Sequence, residues 1–167
     1  MGDITDQIEM IEYGDGKRLW LLNDQLHRPD GPAIERADGT YEWLLNGRRH
    51  REDGPAIELP DGTRKWYRHS LRHREDGPAI EYADGATAWY LNDTLHREDG
   101  PAIERADGTR EWWLNNRLHR EDGPAIEWAN GARCWCLNNQ EYKFDGWAKE
   151  LGIYDTEEFV MMKLAHG

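Results

Sequence analysis

The chain has 167 residues, with 33 acidic against 21 basic side chains and a formal net charge of −12; this is the size of about one domain. The charge disfavours direct binding to nucleic-acid backbones and anionic lipid surfaces, and no apolar run approaches the ~20 residues of a membrane span. Only 38% of residues are apolar, but nine are Trp and seven Tyr, which supplies large rings for a core and argues against disorder.

The phrase His-Arg-Glu-Asp-Gly-Pro-Ala-Ile-Glu recurs almost letter for letter every 23 residues, in step with Trp20, Trp43, Trp66, Trp89, Trp112 and Trp135 and with His27, His50, His73, His96 and His119. Catalysis needs unlike groups converging on one point. A short repeat presents the same groups along a line, which suits an extended binding surface. The expected fold is mainly β, a single elongated antiparallel β-hairpin repeat closed by a short C-terminal helical cap. The start Met1-Gly2-Asp3-Ile4-Thr5-Asp6 has no secretory-signal character, so a cytoplasmic location is expected.

Residues 1–26 read as an N-terminal capping hairpin. Ile8 to Gly16 align with the strand and turn of later repeats without the His-Arg-Glu-Asp-Gly-Pro lead-in. Residues 27–146 hold five repeats. In the stretch Gly31 to Arg51, the Asp38-Gly39 pair predicts a two-residue hairpin turn with positive φ at both positions. That register sets Ala37 opposite Thr40, Arg36 opposite Tyr41, Ile34 opposite Trp43 and Pro32 opposite Leu45. A second turn is predicted at Asn46-Gly47, matched by Asn23-Asp24, Asn92-Asp93, Asn115-Asn116 and Asn138-Asn139; all these residues tolerate left-handed backbone. His69-Ser70 is the exception. Folding back there sets Arg48 opposite Leu45 and His50 opposite Trp43, and Glu52-Asp53-Gly54-Pro55 leads into the next repeat.

The opposite face carries a variable stripe, Leu21, Leu44, Tyr67, Tyr90, Trp113 and Cys136, across from the small residues Ala33, Ala56, Ala79, Ala102 and Ala125. This predicts a shallow ring-lined groove flanked by Glu35, Glu58, Glu81, Glu104 and Glu127. The candidate partner-binding residues are Leu44, Tyr67, Tyr90 and Trp113, with Glu58, Glu81 and Glu104 as an acidic rim. The alternative is that the rings cover a two-sided sheet or form a homodimer surface. Cys134 and Cys136, two apart on one strand, are expected as reduced strand fillers. Residues 147–167 change period to short helices, with Gly152 ending the first and Asp155 or Thr156 capping the second.

No metal, cofactor or catalytic residue is expected. Equivalent histidines lie two or three strands apart, ~10 to 14 Å, too far for one ion. The carboxylates recur in turns, where Asp supplies turn geometry.

The segment Trp43-Leu44-Leu45-Asn46-Gly47-Arg48-Arg49-His50 and the Ala37-Asp38-Gly39 turn resemble a MORN repeat, also a 23-residue unit. Where that unit continues Gly-x-Gly, this chain has Arg51-Glu52-Asp53-Gly54-Pro55-Ala56, and phospholipid binding is not carried across. The chain is more similar to phage proteins with His-Arg-x-Asp-Gly-Pro-Ala repeats and a short acidic helical tail. That resemblance implies a phage or bacterial origin. The expected function is a non-enzymatic, protein-binding inhibitor that occludes a bacterial host or defence protein, such as a nucleic-acid-binding one, by stoichiometric binding in the bacterial cytoplasm. The alternatives are an acidic nucleic-acid mimic and a nucleotide sponge that uses Arg51-type guanidinium groups.

Overall fold

The computed structural model describes residues 7–166, and its chain divides into two compact bodies, one ending at Asp93 and the other beginning at Thr94. Both are built from antiparallel hairpins. The first opens with strands β1 (Glu9–Glu12) and β2 (Arg18–Leu22), then continues through Ile34–Glu35, Tyr41–Glu42, Ile57–Glu58, Arg64–Lys65, Ile80–Glu81 and Thr87–Ala88, each beside its predecessor. The second runs Ile103–Glu104, Arg110–Glu111, Ile126–Glu127, Arg133–Leu137 and Gln140–Tyr142. A second, two-stranded hairpin branches off within a repeat, as in Leu44–Leu45 with Arg48–Arg49 and Trp113–Leu114 with Arg117–Leu118. The molecule is mainly β, as the alternating repeats predict.

The first turn differs from the expected one. Arg36 N–H donates to the Thr40 carbonyl and Gly39 N–H to the Arg36 carbonyl, and of the Asp38-Gly39 pair only Gly39 has positive φ. This is a loop one residue longer, a type I turn closed by a left-handed glycine. The register shifts by one: Ile34 stands opposite Glu42 and Glu35 opposite Tyr41, so the expected Ile34–Trp43 pair does not form. Asp38 drives the choice, because its Oδ1 accepts the Thr40 N–H at 2.8 Å, an arrangement repeated by Asp61 with Thr63 and Asp107 with Thr109. The second turn forms as predicted. Leu45 faces Arg48, His50 N–H donates to the Trp43 carbonyl, and even His69 and Ser70 take the double left-handed conformation.

The slipped register rewrites the core. One cross-strand row runs Leu19, Ile34, Glu42, Ile57, Lys65, Ile80, Ala88. The alanines Ala33, Ala56, Ala79, Ala102 and Ala125 are all 0% exposed, so they are the inner line of the core and not the floor of an open groove. Leu44 closes over Ala33 and Ile34 in the first body, and Cys136 lies with Ala125 in the second. The repeat tryptophans Trp20, Trp43, Trp66 and Trp112 are only half-buried.

At the C-terminus, helices α1 (Phe144–Glu150) and α2 (Glu157–His166) cover the last hairpin. Trp147, fully buried, lies 4.6 Å from Trp135 and its indole N–H donates to the Arg120 carbonyl. Gly152 follows the C-cap of α1 at φ 71°, with Ile153 N–H bonded to the Ala148 carbonyl and Gly152 N–H to the Lys149 carbonyl, a Schellman closure. Thr156 caps α2 by accepting the Phe159 N–H. The cap begins at Phe144, three residues before the expected boundary.

Candidate functional site

The recurring phrase is one arginine with its surroundings. In the third repeat Arg74 lies with its guanidinium carbon 4.2 Å from the Trp66 ring centroid. Its Nε donates to Asp76 at 3.1 Å, and its Nη1 to the Pro78 carbonyl at 3.4 Å and to Glu81 at 2.9 Å. A Cβ on Gly77 would come within 2.6 Å of that guanidinium carbon. Arg, Asp, Gly, Pro and Glu of the phrase are thus accounted for by one side chain, and Ala and Ile by the core beneath. Arg51 and Arg120 repeat the set with Trp43, Asp53, Glu58 and with Trp112, Asp122, Glu127.

The histidines join successive repeats. His27, His50, His73, His96 and His119 each present Nδ1 to the backbone N–H of the first residue in the following repeat's second turn, at 3.1 to 3.3 Å. The second residue of that turn returns the contact: Gly47, Ser70, Asp93, Asn116 and Asn139 donate N–H to the carbonyls of Leu26, Arg49, Arg72, Leu95 and Leu118. On the outer nitrogen, His73 and His119 meet Glu75 and Glu121 at 3.2 Å. Their partner is therefore the phrase's Glu, while its Asp serves the arginine.

This geometry places the sequence-predicted site residues in different settings. Leu44 is 6% exposed and lines the core, so it offers no contact surface. Tyr67, Tyr90 and Trp113 are half-buried. Arg72 covers the Tyr90 ring at 3.9 Å, Arg49 approaches Tyr67 at 5.8 Å, and the Trp113 indole N–H donates to Glu111. Glu58, Glu81 and Glu104 are each bonded to the arginine of their own phrase. They are tied down within the repeat by that arginine, which each shares with the Asp of the phrase, and do not form a free acidic rim.

What stands out to solvent is the loop tip of each phrase. The side chains of Glu52 and Asp53, Glu75 and Asp76, Glu98 and Asp99, and Glu121 and Asp122 are 68 to 86% exposed. Hydrogen bonding and charge from Arg51, Arg74 and Arg97 hold the Asp53, Asp76 and Asp99 carboxyls below the ordinary carboxylate range. Between successive tips lie clefts of about 610, 740 and 600 Å³. Their floors are Trp43 with Leu45, Trp66 with Arg68, and Trp112 with Leu114. The loop tips were readable in the phrase itself as adjacent charged residues, Glu-Asp, at the Gly-Pro turn between strands. The clefts were not, since they depend on where the tryptophans lie.

Sequence reasoning also missed two buried carboxylates. Glu42 accepts from Arg36 at 2.6 Å and from Arg49 at 3.1 Å. Burial pushes its carboxyl up, and the two arginines more than offset this, holding it below the ordinary range. Glu111 accepts from Arg105 Nε at 2.9 Å and from the Trp113 indole N–H at 3.0 Å. Cys134 and Cys136 are free thiols with sulfurs 3.0 Å apart; burial, then the neighbouring thiol, pushes Cys136 up to about 12. Among the described residues no three His, Cys, Asp or Glu side chains are grouped to hold a metal ion, and no helix is long and apolar enough to cross a membrane.

No protein-family model matches the chain, and no curated protein matches it.

Proposed function

We propose that the chain is a non-catalytic binding array that occludes a basic surface of a bacterial protein, one molecule to one, through its acidic loop tips and the tryptophan-floored clefts between them. The observation that carries this reading is the separation of duties within the phrase. Arg, Gly, Pro, Ala and Ile are turned into the fold, whereas the Glu-Asp pair, though bonded to the histidine and arginine of its own phrase, keeps its side chains mostly in solvent in repeat after repeat. Exposed carboxylates at regular intervals steer a basic partner, and a half-buried Trp beside them supplies the large, desolvatable contact typical of interface hot spots. The similarity of the phrase to phage repeat proteins makes a bacterial protein the natural target and inhibition by occlusion the natural outcome.

The test is affinity capture from bacterial lysate with the wild-type chain and with a variant carrying Glu52, Glu75, Glu98 and Glu121→Gln. These side chains are exposed, so the variant should keep the wild-type fold. Loss of the captured protein by the variant, and a steep fall of wild-type capture with salt, are expected. Capture that survives in the variant but fails in a folded Tyr90→Ala, Trp113→Ala chain would move the site to the variable stripe and refute the loop-tip assignment.

A further inference from the structure

Aligning Gly16 with Gly39 puts Met10 at the position of Ala33 and Ile11 at that of Ile34. In later repeats these positions are the core: every such alanine is 0% exposed, and Ile34, Ile57 and Ile80 are 5 to 8% exposed. Met10 is 51% and Ile11 41% exposed, with Ile8 and Tyr13 also exposed beside them. The difference has a visible cause. In later repeats a strand of the preceding repeat lies alongside: Leu19 stands opposite Ile34 and Lys65 opposite Ile80, and the N–H groups of Trp20, Trp43, Trp66 and Trp112 donate to the carbonyls of Ala33, Ala56, Ala79 and Ala125. β1 is paired with β2 on its inner edge and ends the strand order of the described residues. Its outer edge therefore has the pattern that receives a strand at Ile34–Glu35, Ile57–Glu58, Ile80–Glu81 and Ile126–Glu127.

Charge decides what kind of strand fits. Glu12 is the counterpart of Glu35, Glu81 and Glu127, which stand opposite Arg18, Arg64 and Arg110 of the preceding strand. A second copy of β1 fits poorly. Tyr13 N–H donates to the Lys17 carbonyl, so Glu9, Ile11 and Tyr13 turn their main-chain groups to β2 while Met10 and Glu12 turn theirs outward. A self-pair centred on Met10 sets Ile8 against Glu12 and Ile11 against Glu9, which leaves both carboxylates without a cation opposite. Centring it on Ile11 instead sets Met10 against Glu12.

We infer that the outer edge of β1 accepts an extended segment of another protein as an added antiparallel strand. The segment carries Arg or Lys opposite Glu12, an apolar residue opposite Ile11, and next a backbone N–H that donates to the Met10 carbonyl. Main-chain bonds supply the affinity of such strand addition and the alternating side chains its selectivity. This surface is separate from the loop tips, and the inference does not depend on them.

The probe is a labelled peptide copying Lys17 to Leu22, the array's own strand of this kind, titrated with the full chain and followed by fluorescence anisotropy. Saturable binding is expected. N-methylation of the peptide's Trp nitrogen should abolish it. Glu12→Arg in the protein should weaken the peptide about fivefold, the upper range for one cross-strand charge pair, and a peptide with Glu in place of its Arg should then prefer the variant. Should Glu12→Arg fail to fold, the N-methylated and Glu-bearing peptides carry the test on the wild-type chain. The Gln variant of the loop tips should bind the peptide normally, which separates this site from the proposed function. Absence of saturation up to about 1 mM, a binding energy of only ~4 kcal/mol, or equal binding of the N-methylated peptide would overturn the inference. So would a dimer that excludes the peptide and is dissolved by Ile11→Lys, since it would assign the edge to self-pairing.

Discussion

Gly77→Ala isolates the arginine on which the phrase depends. Gly77 is not in the left-handed region, so the added methyl meets no backbone strain. Its three nearest neighbours all belong to Arg74, with the guanidinium carbon at 2.6 Å and Nε at 2.7 Å. Arg74 must leave, losing its stack on Trp66, worth ~0.5 to 1 kcal/mol, and its bond to Glu81. A charge-assisted bond of this kind is worth ~1.5 to 3 kcal/mol when buried, but the two side chains are 23 and 35% exposed, which discounts it to about 1 kcal/mol. Against this, Ala stiffens the unfolded chain by ~0.4 to 1 kcal/mol. The net expectation is a loss of about 1 kcal/mol, by equilibrium urea unfolding followed through tryptophan fluorescence. The decisive comparison is the same substitution in an Arg74→Ala background, where only the unfolded-state term remains and the change should become stabilising. If Gly77→Ala destabilises both backgrounds equally, the guanidinium is not what requires glycine there.

Three further outcomes follow from the packing. Trp147→Ala should cost ~3 to 5 kcal/mol by leaving a cavity, and Trp66→Ala, whose ring is half-buried beneath Arg74, clearly less; equal losses in chemical denaturation would contradict the placement of the core. Glu42→Gln should lower stability by about 1 to 2 kcal/mol at neutral pH. Because the folded-state carboxyl is depressed, the wild-type advantage is present above the unfolded-state value and is lost as pH falls through the folded one, so a pH-independent difference between the two proteins would count against the pairing. Cys136, pushed from 9.0 up to about 12, contributes stability that is present below 9.0 and lost as pH rises toward 12. Alkylation of the folded chain at pH 8 should be far slower than in urea, and comparable rates would show that the thiol is not sheltered.

The sequence carried the period, the hairpin class, the second turn and both helix boundaries at Gly152 and Thr156, since each rests on local chemistry. Positive φ at His69 and Ser70 shows that the repeat's geometry overrides a residue preference when bonds to His50 and Arg49 of the preceding strand hold the turn. The first turn was misread because Asp-Gly suits both a two-residue and a three-residue loop, and Ile34 with Trp43 looked like a matched pair. What separates them is the Asp38 side chain, which holds the backbone N–H of the residue after the glycine, as Asp84 and Asn130 do for Ala86 and Ala132. With the register off by one, Ile34 was matched to Trp43 when it stands opposite the buried Glu42, and Ala33 was assigned to a groove when it is covered. The variable stripe then read as a binding face, although Leu44 is internal. The arginine's role was out of reach because its contacts converge in space from residues two, four and seven positions away and from a tryptophan eight positions before it.

Two bonds that close one repeat on the next recur from His27 to His119, spanning 19 residues from histidine to the turn's N–H and 21 from the turn's next N–H back to the strand carbonyl. A gene built this way can gain or lose a whole 23-residue block by unequal crossing-over, and the new junction is formed by contacts already present in its neighbours. Breakpoints at any other spacing would join a histidine to the wrong turn. An array of this kind therefore keeps every one of these contacts only when its length changes in whole 23-residue steps.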